Sequence, residues 1–101
     1  MVANAWDGGT MAAKAALENL GFAAGDVKLV GFDGAGDAIA AMDEGWVHAD
    51  TAQMLYQMGY QGIKAAAAAA RGESVSPRID TGFFLVTPST SGAYKAMVGI
   101  E

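Results

Sequence analysis

The chain has 101 residues, a single domain's length, and its 52% hydrophobic content is ample for a packed core and argues against disorder. Eleven acids against six bases give a formal charge of −5, and no cluster of Lys and Arg could neutralise a row of phosphates, which excludes nucleic acid and anionic membrane surfaces as partners. Without cysteine there is neither a disulfide frame nor a thiolate metal site, and no apolar run approaches the ~20 residues that span a bilayer.

Along the chain, short apolar or β-branched runs alternate with longer Ala-rich ones, the βαβα rhythm of a parallel sheet covered by helices. Residues 2–5 predict a first strand. A helix follows over 9–20, with Met11, Ala12, Ala15 and Ala16 on its apolar side, Lys14 and Glu18 on another, Gly21 as its stop and Asp7 or Thr10 as its N-cap. Residues 27–32 are apolar almost without break, which suits a second strand buried on both faces. Asp37 caps a short helix ending at Gly45, and residues 46–52 read as a third strand. The longest helix covers 53–71 with Gly72 just past it; Leu55, Gly59, Gly62 and Ala66 repeat at helical spacing and form a smooth stripe on which a sheet can lie. Its run Ala65 to Ala70 has the highest helix propensity available. A polar loop over 73–78 contains Pro77, and residues 82–86 make a fourth strand. Pro88, Gly92 and Gly99 limit residues 87–101 to a weak helix through Tyr94 and Met97. These elements predict an α/β fold, a Rossmann-like three-layer αβα arrangement with a mostly parallel sheet.

Two side chains fall where such a sheet binds ligands. Asp33 closes the second strand and Gln53 follows the third, so both face the crevice outside the carboxyl ends of parallel strands. A carboxylate and a carboxamide there suit a small polar ligand. Enzyme motifs have cheaper explanations. Gly34 and Gly36 begin like a dinucleotide fingerprint, but Ile39 holds its third glycine position. Asp80-Thr81-Gly82 spells the aspartic-protease tripeptide in a chain too helical for that all-β fold. Strand alternation would place Trp46, His48 and Asp50 on one face, yet a lone His with one carboxylate lacks a zinc ligand set and has no nucleophile beside it. Tyr56 and Tyr60, four apart, read as a packed or half-exposed ridge, and the six Met as core filler. No catalytic residue, metal or cofactor is expected.

The stretches KLVGFDGAGDAIAAMDEGWVHADTAQ, MGYQGIKAAAAAARGE and RIDTGFFLVTP resemble the C-terminal lobe of type 1 periplasmic binding proteins, the ribose-binding class of sugar-import receptors. The resemblance runs from Val2 to about Pro88; its most specific parts are Gly31-Phe32-Asp33-Gly34, the Ala52-Gln53 pair, and Ile79-Asp80-Thr81-Gly82. It implies that residues 1–88 are part of that lobe and 89–101 a C-terminal tail, in a protein whose two lobes close over a sugar. The rest of the receptor would lie upstream of Met1, where the chain itself has no signal peptide.

The same resemblance implies that Asp33 accepts hydrogen bonds from sugar hydroxyls, that Gln53 both donates and accepts, and that a membrane permease of an ABC transporter is the partner of the full-length, periplasmic or lipoprotein-anchored receptor. The chain departs from the family where an Asn-Asp pair follows the first strand: Trp6-Asp7 stands there. An indole cannot replace an amide, but it can stack on the C–H face of a sugar, so Trp6 is a candidate ligand residue that puts ribose itself in doubt; its alternative is a surface or core aromatic. Asp7 reads as a helix cap. The effector domain of a LacI-type regulator has a similar Gly-Phe-Asp segment and is the alternative function, with a non-binding half-receptor as a third; the Ala52-Gln53 pair and the approach to the last strand favour the transport receptor.

Overall fold

The computed structural model describes residues 1–101. Strands β1 (Val2–Ala3), β2 (Leu29–Asp33) and β3 (Val47–Gln53) pair in parallel and, with β4 (Phe83–Val86), form one four-stranded sheet in the order β1-β2-β3-β4. Helices α1 (Asp7–Asn19), α2 (Gly36–Asp43), α3 (Leu55–Ala70) and α4 (Ser91–Val98) alternate with the strands. The chain divides into two units, Met1–Gln53 with Phe84–Glu101, and Met54–Phe83.

In the first unit α1 packs on β2, α2 on β3, and the two helices touch, so both cover one face of the sheet. The core lies on that face: Leu29, Ile39, Met42, Val47, Ala52, Val86 and Tyr94 are buried, with Met11, Trp46, Phe84 and Ile100 packed around the cluster. Each large apolar side chain so enclosed stabilises the fold by roughly 1.5–3 kcal/mol. The strand β2 is not enclosed on both faces, as its apolar run suggests; Leu29 and Gly31 are buried while Phe32 stays 38% exposed. The inward stripe of α1 also differs from the apolar one. It runs through Thr10, Met11, Ala13, Lys14 and Leu17, so of the expected apolar side Met11 turns inward whereas Ala12, Ala15 and Ala16 face water. Lys14 is half-buried there because its ammonium sits over the Trp46 ring, with Nζ 5.3 Å from the ring centre, and reaches Glu18 at 2.8 Å and Glu44 at 3.9 Å.

None of the expected side-chain caps forms. Trp6 and Ala35 stand at the N-caps of α1 and α2, neither with a side-chain cap bond. Thr10 bonds back to the Trp6 carbonyl, and Asp37, inside α2, accepts from the next amide, Ala38 N–H. Asp7 has a different task, described below.

A bulge sets the phase of β3. Leu29 pairs with Val47 but Val30 pairs with Ala49, so His48 is an extra residue on β3. Past it, Gly31 faces Asp50 and Asp33 faces Ala52. Val47, Asp50 and Ala52 all end up buried while His48 is exposed, which separates the His48–Asp50 pair that strict alternation would have made.

The C-terminal helix α4 is anchored at two points. Tyr94 is buried with its ring 5.7 Å from that of Phe84. Asp43, at the end of α2, pairs with Lys95 and accepts from Ser91 Oγ at 3.1 Å. Lys95 and Ser91 together hold the Asp43 carboxyl below its usual range.

The second unit is α3 and the loop after it. No residue of α3 is buried, so the stripe through Leu55, Gly59, Gly62 and Ala66 is not covered, and Tyr56 and Tyr60 stack on each other at 6.3 Å. Arg71 and Glu73 pair at 2.5 Å beyond its C-terminus. In the loop, Asp80 Oδ1 accepts the Gly82 N–H at 2.9 Å, which makes the Asp-Thr-Gly tripeptide a local turn.

Candidate functional site

The three parallel strands end at one edge of the sheet, and that edge carries Trp6 in the β1–α1 loop, Asp33 at the end of β2 and Gln53 at the end of β3. Gln53 is the last residue of its strand rather than the first of a helix. The structure brings Asp33 and Gln53 together: the carboxamide Nε2 donates to Asp33 Oδ1. Both are half-buried. The bond orients one carboxylate oxygen, and the remaining carboxylate lone pairs and the Gln53 carbonyl oxygen keep further hydrogen-bonding capacity.

Asp33 also occupies an unusual backbone. Its φ of 124° is the one positive value at a residue with a side chain, and such strain concentrates at functional positions. The surroundings over-determine it. Asp7 Oδ1 accepts the Phe32 N–H at 3.1 Å, Asp50 Oδ1 accepts the Gly34 N–H at 3.0 Å, and Asp7 Oδ2 accepts the Ala35 N–H at 2.7 Å. On the other side, the Tyr94 hydroxyl donates to the Gly34 carbonyl at 2.9 Å. Gly34 is in the left-handed region at φ 78°, and a Cβ there would lie 2.3 Å from the Tyr94 oxygen and 2.5 Å from the Ala52 Cβ. The turn that presents Asp33 is therefore gripped by α1, β3 and α4 at once.

Asp7, Asp50 and Tyr94 are the residues sequence reasoning missed. Asp50 had a signal: a carboxylate between Ala49 and Thr51 in the middle of a strand of a covered sheet is an anomaly that calls for a partner. It is fully buried, and burial, followed by the neighbouring Asp7 carboxyl, pushes its pKa up to about 7. Tyr94 is pushed up as well, by burial and by Asp50 and Asp7.

Trp6 is 63% exposed. Its ring lies over the first turn of α1, where a Cβ on Gly8 would come within 2.4 Å of it. The Gly8-Gly9 pair makes room for the indole over this turn. No group of three or more His, Cys, Asp or Glu side chains is placed to hold a metal ion, and no helix is long and apolar enough to cross a membrane.

Residues 1–74 match a family described as periplasmic binding protein domain. Among solved structures, the chain is similar to an ABC transporter solute-binding protein from Bacillus halodurans with bound myo-inositol, at 33% identity and a TM-score of 0.76, over 86% of this chain and 30% of that one. It is similar to a carbohydrate transporter solute-binding protein from Agrobacterium radiobacter in complex with D-arabinose, at 32% identity and a TM-score of 0.66, over 88% of this chain and 28% of the other. A periplasmic solute-binding protein from Actinobacillus succinogenes with bound D-allose shares the fold at a TM-score of 0.82 and 24% identity, over 91% of this chain and 32% of that one. The chain thus spans about a third or less of the length of these proteins. No curated protein sequence matches it.

Proposed function

The chain belongs to the periplasmic binding protein domain family, whose members are binding proteins rather than enzymes, and on that premise we propose that it supplies one wall of a monosaccharide- or polyol-binding cleft in the solute receptor of an ABC importer. The observation that carries this reading is Asp33, held at φ 124° and bonded to Gln53 at the carboxyl edge of parallel strands. Residues 1–88 form part of the C-terminal lobe in this reading, with 89–101 as the tail behind it. An ionised carboxylate gives charge-assisted bonds to vicinal hydroxyls, each stronger than a neutral one, and the carboxamide accepts or donates to a third. Trp6 offers a ring face to the C–H side of the sugar.

The receptor acts by handover. A sugar that bridges two lobes favours the closed form over the open one by its differential affinity, and a membrane permease on the periplasmic face reads the closed form. This lobe by itself supplies only one side of the contacts, so its own affinity is weak. The transport reading is favoured over a transcription regulator because three similar structures at 30% identity or more are solute-binding proteins.

Calorimetric titration of the two-lobed receptor with myo-inositol, D-arabinose, D-fucose and D-tagatose tests the reading. Asp33→Ala is expected to weaken the best ligand by on the order of 10- to 100-fold, the equivalent of one or two charge-assisted hydrogen bonds. Equal affinity of wild type and Asp33→Ala for every sugar bound would refute the assignment of Asp33, and the absence of any binding would refute the function.

A further inference from the structure

Two buried carboxyls converge beneath the strand that ends in Asp33. A Cβ built on Gly31 would lie 2.3 Å from Asp50 Oδ2 and 2.5 Å from Asp7 Oδ1, with Thr10 Oγ1 at 3.1 Å, so three side chains from α1 and β3 crowd onto one glycine. Asp7 and Asp50 are both buried. Asp7 spends its two oxygens on the Phe32 and Ala35 amides and Asp50 spends Oδ1 on the Gly34 amide, but Asp50 Oδ2, fully shielded from water, has no donor.

An orphaned carboxylate oxygen in a dry pocket is costly, and a second anion beside it makes it more so. One proton held between the two carboxyls removes both penalties, because the repulsion becomes an O–H···O bond and the orphan becomes a donor. Asp7 and Thr10 from α1 crowd the same glycine as Asp50, the Gly34 amide bonds to it, and Asp33 from β2 and Tyr94 from α4 are near enough to be coupled to it electrostatically; none of these is a cation that could neutralise it instead.

We propose that Asp7 and Asp50 work as one carboxyl pair sharing a single proton, and that this pair is the positioning element of the site, holding residues 32–35 and thereby the strained Asp33 while the proton is present. Loss of the proton leaves two anions side by side beneath Gly31. They separate, the three amide bonds loosen, and Asp33 loses the backbone that aims it. The upward displacement of the Asp50 pKa to about 7 places the release within reach of ordinary pH changes. Asp7 and Asp50 touch no ligand in this scheme. They act through Asp33, and the functional part of the proposal rests on the sugar-binding reading above.

The test uses the 101-residue chain and needs no sugar. Amide hydrogen exchange by NMR gives the protection of Phe32, Gly34 and Ala35, corrected for the intrinsic pH dependence of exchange, between pH 5.5 and 9. Protection of the three amides is expected to fall at least tenfold across that range in the wild type. In Asp50→Asn it is expected to stay flat, because the carboxamide Oδ1 still accepts from Gly34 while Nδ2 donates permanently to Asp7. A flat wild-type profile, or the same fall in Asp50→Asn, would overturn the proposal. Should Asp50→Asn fail to fold, the 13Cγ shifts of the wild-type aspartates decide: one carboxyl of the pair titrating above pH 6 supports the shared proton, and neither doing so overturns it. A pH-dependent turn in a receptor that binds no sugar would retain the carboxyl pair and remove only the binding reading.

Discussion

Gly31 and Gly34 in β2 and its turn, and Gly59 and Gly62 in α3, put one residue type to opposite uses. Around the first two the backbone is pressed by carboxyl oxygens and a tyrosine hydroxyl, so that an added Cβ would lie 2.3 Å from its nearest neighbour at either position. Around the second two an added Cβ meets nothing within 4 Å. Close approach in β2 lets polar side chains grip a turn from several sides and so fixes one strained residue. In α3 the same absence of a side chain leaves only the entropic penalty of glycine in a helix. Residue identity therefore says little until the distance to the neighbouring atoms is known.

Substitution of these glycines is the bluntest way to break the comparison. Gly31→Ala forces apart Asp7 and Asp50, and we expect it to destabilise the chain by about 3 kcal/mol or more, read as a lower urea midpoint; an unchanged midpoint would mean that the carboxyl pair is not where the distances place it. Next in size is a pH effect. The folded state holds a proton on Asp50 that the unfolded chain gives up near 3.8, so its stabilisation is complete below about pH 4 and is lost as pH rises through about 7. Thermal midpoints are expected to decline across that window, and Asp50→Asn to flatten the decline.

The smaller effects lie on the open side. Gly59→Ala and Gly62→Ala should each stabilise the chain by about 0.5–1 kcal/mol, and destabilisation by either would show that α3 is packed more closely than its exposure indicates. Smallest is the half-exposed Asp43–Lys95 pair, where Lys95→Met should cost about 0.5 kcal/mol or less at neutral pH. Its sense is opposite to that of Asp50: the contribution is present above pH 3.8 and fades as pH falls through the lowered pKa of Asp43. A denaturation series between pH 2.5 and 5 would separate the two.

The alternation of strands and helices was legible because apolar runs and Ala-rich runs differ in period, and the placement of Asp33 and Gln53 together at one sheet edge followed from the rule that parallel strands end on the same side. What lay beyond reading depended on one inserted residue. His48 shifts β3 by a single position, and period-two counting then assigns Asp50 to the wrong companions. Asp7 looked like a cap because caps are local, whereas its partners Phe32 and Ala35 are 25 and 28 residues away. The inward face of α1 escapes the pattern for a related reason: Lys14 counts as polar by type but sets its ammonium over the Trp46 ring. Pro88, Gly92 and Gly99 made α4 look weak, and its anchorage through Tyr94 to a carbonyl 60 residues earlier has no signature in the local sequence.

The two indoles have an optical consequence. Trp6 stands in water at the edge of the site, while Trp46 is half-buried against the core with the Lys14 ammonium over its ring. Their emission should divide into a red component open to collisional quenching by iodide and a bluer one that is protected. A ligand that settles on Trp6 would shift the first and leave the second as an internal standard, so the chain carries its own fluorescence gauge and occupancy can be followed without a label.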